Sequence, residues 1–354
     1  TLVFTLFCLI LGLKTRAQDT INPSKIKIDF SGYLETFYSY DFNRPNAEKK
    51  LNFIFNHNRH NEFNLNIGLI RSSISYENFY AKIAVQAGTY VQDNYANEDL
   101  KLFNEAYIGS FLDKAQKTSI DAGLFTSHIG FETATSHSNL NVTRAILAES
   151  TPYFLSGVRF NYKPNEKWTF VALLNNGWQR IKKPNRKAMP AFGTQIVYKS
   201  SVKSTLNWST FVGDEPIADH LQTRYFSNLF WDYQWNSKWR TIAGFDLGSQ
   251  KKIEGEGYSN WWSPILITQY AISPKWQTSF RTEYYQDVDN VIIVPANREF
   301  KSFGNSINLD FLPNSKVKLR TEARWLHSDE PAFLQNENLV KDDFFVTTSL
   351  SFEW

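Results

Sequence analysis

The sequence predicts an all-β protein, a transmembrane antiparallel up-and-down β-barrel of about sixteen strands. Three observations predict it. Apolar and polar residues alternate with period two along most of the chain. The breaks between alternating stretches are short and long by turns. The charged residues within the stretches keep to one face.

Composition agrees. Of 354 residues 42% are hydrophobic, yet mean hydropathy is −0.40. Apolar residues confined to one face of many strands give that combination. After Leu13 no run approaches the roughly 18 apolar residues of a spanning helix. Aromatics make up 16% of the chain, material for girdles at two water interfaces.

The first 17 residues read as a secretory signal lacking its start. Leu2 to Leu13 is an apolar core, and Thr15-Arg16-Ala17 offers a cleavage site before Gln18. Residues 18–24 are a lead-in, and residues 25–354 form the barrel. Cys8, the only cysteine, lies in the signal, so the processed chain has no disulfides. Loss of Lys14 and Arg16 takes Lys+Arg from 38 to 36 against 35 acids, lowering net charge from +3 to +1. That balance excludes nucleic acid as an expected partner.

The first strand, Lys25–Asn43, sets the pattern. Ile26, Ile28, Phe30, Leu34, Tyr38 and Tyr40 fall on even positions; Lys27, Asp29, Glu35 and Asp41 fall on odd ones. The pattern recurs in Asn61–Tyr76, Phe79–Gln92, Asn104–Leu112, Lys117–Ser127, Tyr153–Lys163, Lys167–Asn176 and Pro190–Lys199. It continues in Lys203–Gly213, Gln222–Asn236, Lys238–Gln250, Ser259–Ile272, Lys275–Val288, Phe300–Leu312, Ser315–His327 and Asp342–Trp354. Seven short turns alternate with eight longer loops, among them Asp214–Leu221 and Ser328–Lys341. Short turns belong on the periplasmic side of an outer-membrane barrel, and an even strand count puts both ends there. Trp168, Trp235, Trp239, Trp276 and Trp354 lie beside short turns and form the expected periplasmic aromatic girdle.

Charge decides which face meets lipid. Lys316, Lys318, Arg320, Glu322 and Arg324 share one face of the fifteenth strand, and Arg281 with Glu283 repeats this on the thirteenth. A Lys or Arg facing lipid costs about 2–4 kcal/mol at the midplane, so this face should see water and line a lumen. The third long loop contributes the rest of the expected pore lining. Ser138 to Glu149 reads as a short helix capped by Ser138, with Leu140, Ala145, Ile146 and Ala148 on its apolar side. Folded into the lumen, it would place Arg144, Glu132 and Glu149 opposite the basic ladder.

Other chemistry is weakly signalled. The histidines fall in or beside long loops and read as facing water; His57 and His60 lack companions at zinc spacing. Asp287 with Asp289, and Asp93 with Glu98 and Asp99, lack a calcium-loop pattern and read as solvated acidic loops. Ser136-His137-Ser138 is the one local nucleophile–base pairing, and no Gly-x-Ser-x-Gly or phosphate loop is present. No enzyme activity, metal or cofactor is expected.

Several stretches together resemble the OmpL-like β-barrel porins of Gram-negative outer membranes. They are Gly32–Pro45, Asn61–Asn66, Asn104–Gly109, Asp121–Phe125, Ile129–Glu132, Ser156–Phe160, Asn176–Gln179 and Arg281–Tyr284. The resemblance implies a channel for passive diffusion of small hydrophilic solutes or ions, and carries over no ligand residues. The alternative is a non-conducting barrel serving as adhesin, receptor or assembly partner through its outer loops. Expected partners are the lipid bilayer, the solutes, and the barrel-assembly machinery, which would read the C-terminal strand with Leu350, Phe352 and Trp354 on one face. Lipid-facing and subunit-facing apolar residues look alike, so a homo-oligomer is compatible.

Overall fold

The computed structural model describes residues 26–184, 187–217, 220–294 and 299–354. The expected signal and lead-in lie outside them. Sixteen strands form one closed antiparallel barrel. In chain order they begin β1 (Ile26–Asp41), β2 (Phe63–Tyr76), β3 (Phe79–Ala87), β4 (Phe103–Phe111), β5 (Thr118–Thr126), β6 (Phe154–Asn165), β7 (Trp168–Asn175) and β8 (Ala191–Ser201). They continue β9 (Ser204–Ile217), β10 (His220–Gln234), β11 (Trp239–Lys251), β12 (Tyr258–Ser273), β13 (Trp276–Asp287), β14 (Phe300–Phe311) and β15 (Val317–Ser328). A hairpin of β16 (Phe333–Gln335) and β17 (Asn338–Val340) stands apart, and β18 (Asp342–Glu353) closes the ring against β1.

Period-two burial follows the sequence pattern. In β18 Phe345, Thr347, Ser349 and Ser351 are buried inward, while Leu350, Phe352 and Trp354 are exposed outward. Ile70, Ile108, Leu174, Leu229, Phe280 and Ile307 continue the outward apolar belt around the barrel. In water this belt would be an aggregation surface; in a bilayer it is the required coat. Trp235, Trp239, Trp276 and Trp354 are exposed at the short-turn end. Ring contacts with barrel aromatics, such as Trp168 on Tyr198 at 4.3 Å and Trp276 on Phe311 at 4.8 Å, tie this set to the wall.

The closing seam runs from Tyr33 opposite Glu353 to Asp41 opposite Phe345. Gly32 and Trp354 exchange backbone hydrogen bonds of 3.0 and 3.1 Å. The Trp354 indole occupies the space where a side chain at Gly32 would lie, 2.0 Å from an ideal Cβ. Glycine is therefore what lets the last aromatic lie flat on the first strand.

Three boundaries differ from the sequence expectation. β3 stops at Ala87, and Thr89–Asn94 forms a short helix, α1, in place of a strand reaching Gln92. Gly88 breaks the ladder: its φ of 134° turns the chain inward, and a Cβ there would sit 2.3 Å from the Asn66 carbonyl. The loop expected at Asp214–Leu221 is mostly strand, because β9 and β10 stay paired up to Ile217 opposite His220. The loop expected at Ser328–Lys341 contains the β16–β17 hairpin.

The long loops fold into the barrel mouth and build an interior core there. Leu51 and Ile54 of the first loop, Ile129 and Ile146 of the third, Ile293 and Phe333 pack on inward side chains including Phe211, Phe226, Trp261 and Leu326. This apolar filling of the lumen was not expected from strand alternation.

Candidate pore constriction

The inward faces of β13, β14 and β15 carry the ladder read from the sequence. Arg281, Glu283, Arg320, Glu322 and Arg324 are all 2% exposed or less. The expectation that this face meets open water is corrected: it meets the third long loop, residues 127–153. Carboxylates and loop carbonyls replace water around each guanidinium. Arg320 pairs with Asp310 at 2.7 Å, Arg281 with Glu322 at 2.8 Å, and Arg324 with Glu283 at 2.6 Å. Lys318 donates to the His137 carbonyl at 2.6 Å, and Lys316 remains exposed near the short-turn end.

The same charges fasten the loop backbone. Arg320 donates to the carbonyls of Ser136, Asn139 and Leu140, Arg281 to that of Thr143, and Arg324 to that of Arg144. In the other direction Glu322 accepts the Thr143 N–H at 2.6 Å, Asn308 accepts that of Val142, and Glu283 accepts that of Ile146 at 2.7 Å. A buried irregular backbone must find a partner for each polar group. Here the barrel wall supplies them, with charge-assisted bonds worth about 1.5–3 kcal/mol each.

That capture explains why the expected helix over Ser138–Glu149 does not form. Ser136–Ser138 is a single 3-10 turn and Ile146–Glu149 a single α-turn, α2, with irregular, bent chain between. Ser138 caps nothing, since its hydroxyl makes no cap bond and α2 starts after Ala145. The wall's donors and acceptors outcompete the intrahelical ladder. The apolar residues keep their role: Leu140, Ala145, Leu147 and Ala148 pack on Ile242, Ile265 and Ile267 across the lumen.

Past the fastened stretch the loop builds a septum with the first loop. The Arg144 guanidinium lies 3.6 Å above the Tyr153 ring. The Tyr153 hydroxyl donates to Glu149 Oε2 at 2.6 Å and accepts from Asn56 at 2.8 Å. Glu149 Oε2 also accepts the Phe55 N–H at 3.0 Å. Glu132 accepts the Ala145 N–H at 2.8 Å, and its backbone carbonyl takes a bond from Arg144. Thus Arg144, Glu132 and Glu149 come together, beside the ladder and not across an open pore from it. Burial pushes the Glu149 carboxyl up to about 7 and raises that of Glu132, with Arg144 partly countering both.

Two cavities flank this septum. One of about 520 Å³ opens among the long loops, lined by Phe53, Phe55, Glu149 and Trp178. The other, about 480 Å³, is lined by Arg144, Tyr153, the β2–β3 wall and Glu353, which stands at the short-turn end.

Other sequence candidates acquire structural roles. His57 is buried with Nε2 3.1 Å from Glu35, and His128 is buried against the Thr210 carbonyl, so neither faces water. Asp93 is held by Arg59 at 2.7 Å, Glu98 by the Ile181 N–H, and Asp287 by three successive N–H groups of Val291–Ile293. These three acids are occupied, whereas Asp99 and Asp289 stay exposed as expected. Ser136 donates to Glu35 and His137 faces Ser351, so the two do not form a nucleophile–base pair.

Sequence reasoning missed Asp310, Asn308, Glu35, Asn56 and Tyr153. The first two had a signal, since they share the inward parity of β14 with Ser302 and Ser306. Asn56 had none, because loop residues carry no periodicity, and Tyr153, expected to open a strand, stands just before β6 in the loop.

Comparison with known proteins gives a consistent picture. The family model described as "Putative beta-barrel porin-2, OmpL-like" matches residues 27–354. A search of the curated proteins found no match. Among solved structures, the outer membrane channel DcaP of Acinetobacter baumannii aligns with a TM-score of 0.64 at 11% identity, covering 94% of this chain and 98% of that one. OmpF of Salmonella typhi aligns at 0.62 and 10% identity, covering 94% and 99%. OmpT of Vibrio cholerae in its trimer form aligns at 0.58 and 8% identity, covering 93% and 99%. At such identities the likeness is one of fold.

Proposed function

Because the chain belongs to the OmpL-like family of β-barrel porins and is an outer-membrane channel for small solutes, we propose that solutes cross it by passive diffusion past a constriction made by the third long loop. The observation that carries this reading is the pair of cavities, about 520 and 480 Å³, with Glu149 on one and Arg144 and Tyr153 on the other. A cavity lies on each side of the septum, and in this reading the narrowest ring is Arg144, Glu149 and Tyr153, with Glu132 behind Arg144. The buried ladder on β13 and β15 acts as the loop's anchor. Selectivity then rests on width and charge at the septum.

The short-turn end faces the periplasm in this reading, with the Trp set at that interface. The C-terminal strand is the segment we assign to recognition by the barrel-assembly machinery. A trimer form is described for the OmpT barrel, and the outward apolar belt offers the surface a homo-oligomer would use. Family and fold point to a channel and not to a catalyst.

Single-channel recording in a planar bilayer tests the constriction. We expect Arg144→Ala to raise conductance and change the ratio of anion to cation permeability. A current and ion preference equal to the wild type would reject the septum as the limiting ring.

A further inference from the structure

The cavity between the septum and the short-turn end has an electrostatic imbalance that the channel reading does not use. Its acids are paired, shifted toward neutrality by burial, or peripheral. Glu105 pairs with Lys82 at 2.8 Å. Glu132 accepts the Ala145 N–H at Oε2 while its Oε1 has no hydrogen-bond partner, and burial raises its carboxyl toward the neutral form. Glu353 is half-exposed at the rim, 3.9 Å from His137.

Two guanidinium groups have no such match. Arg144 is 3% exposed, and its Nε and Nη1 have no hydrogen-bond partner. Among the described residues it makes no ion pair; its one bond is to the Glu132 carbonyl. Arg71, on β2, lines the same cavity, and no ion pair or hydrogen bond engages it among the described residues. A buried donor left unpaired is costly; Glu149 and Glu132 act on Arg144 only through space, without a direct ion pair. The natural completion is an anion from outside the chain.

The rest of the lining says what kind. Ile67, Leu69, Tyr90, Phe131 and Tyr153 also face this space. A simple inorganic ion gains nothing from apolar walls, whereas an organic acid places its hydrocarbon part there and its carboxylate on the cation. We propose that this cavity is a binding station for small organic carboxylates, with Arg144 as the buried anchor and Arg71 as the second contact. The proposal rests on the channel reading and names its preferred solute class.

Benzoate and its neutral isostere benzamide provide the test, added on the short-turn side during single-channel recording in chloride. The wild type should prefer anions, and benzoate should reduce chloride current in a concentration-dependent way while benzamide does not. Arg144→Gln should abolish the benzoate effect. Arg71→Gln, which leaves the loop's fastening untouched, should weaken it several-fold and keeps the test alive if the loop variant fails to assemble. Equal action of benzoate and benzamide, or undiminished benzoate block in Arg71→Gln, overturns the proposal while leaving the channel intact. A protein that inserts but passes no current removes the channel reading and this proposal with it.

Discussion

Glu149 is where one side chain governs the septum. Its carboxyl is raised from the ordinary 4.5 to about 7, chiefly by burial. A raised folded-state pKa means that the proton is held more tightly in the folded loop than in a released one. That contribution to loop closure is fully present below about pH 4.5 and is lost as pH rises to about 7. We predict that septum opening, read as conductance or open-state noise, increases between pH 5 and 8. Glu149→Gln, which mimics the protonated form, should flatten that dependence; a profile unchanged in the variant assigns the titration elsewhere. Nothing in the sequence could announce this. Glu149 is one acid among 35 Asp and Glu, and its shift arises from burial among Tyr153, Phe55 and Arg144, contacts that a linear pattern does not encode.

At the scale of elements, legibility followed periodicity. Every barrel strand was visible, because a two-residue repeat with one lipid face leaves a trace in each stretch. The face of each strand was visible too: Arg320, Glu322 and Arg324 were placed inward by the cost of exposing them to lipid. What they touch was not visible. The parity argument says only that a charge avoids lipid, and both water and a folded loop satisfy it. The helix expected over Ser138–Glu149 failed for a related reason, since local propensity cannot weigh donors and acceptors arriving from residues 281–324. The fastening carries its own prediction. Arg320→Ala leaves Asp310 without its cation and takes one donor from each of three loop carbonyls, a loss of about 3–5 kcal/mol by analogy with broken buried pairs. The expected result is a stable barrel with a loosened loop, seen as higher conductance and faster proteolysis within residues 127–153. Unchanged proteolysis would show that the remaining wall contacts suffice.

For the whole molecule, closure is the decisive event. Nine register pairs join β1 to β18, and the seam ends where Trp354 lies over Gly32. We predict that deletion of Ser351–Trp354 prevents assembly. It removes the pairs from Tyr33 to Glu35 and leaves a free edge on β1. Heat-modifiable migration in gel electrophoresis reads out the closed form; normal migration of the truncated chain would remove the terminal strand from that role.

The fastened loop also sets an order of events. Its partners lie 137 to 184 positions further along the chain, from Ile146 with Glu283 to Ser136 with Arg320. Contacts of such separation close late, because the intervening chain must first be ordered. The third loop is made early and finds Glu35, Phe55 and Asn56 behind it in the chain, but the guanidinium groups that fasten its backbone arrive only with β13 and β15. The loop can therefore take up its fastened path only once β13, β14 and β15 have joined the wall.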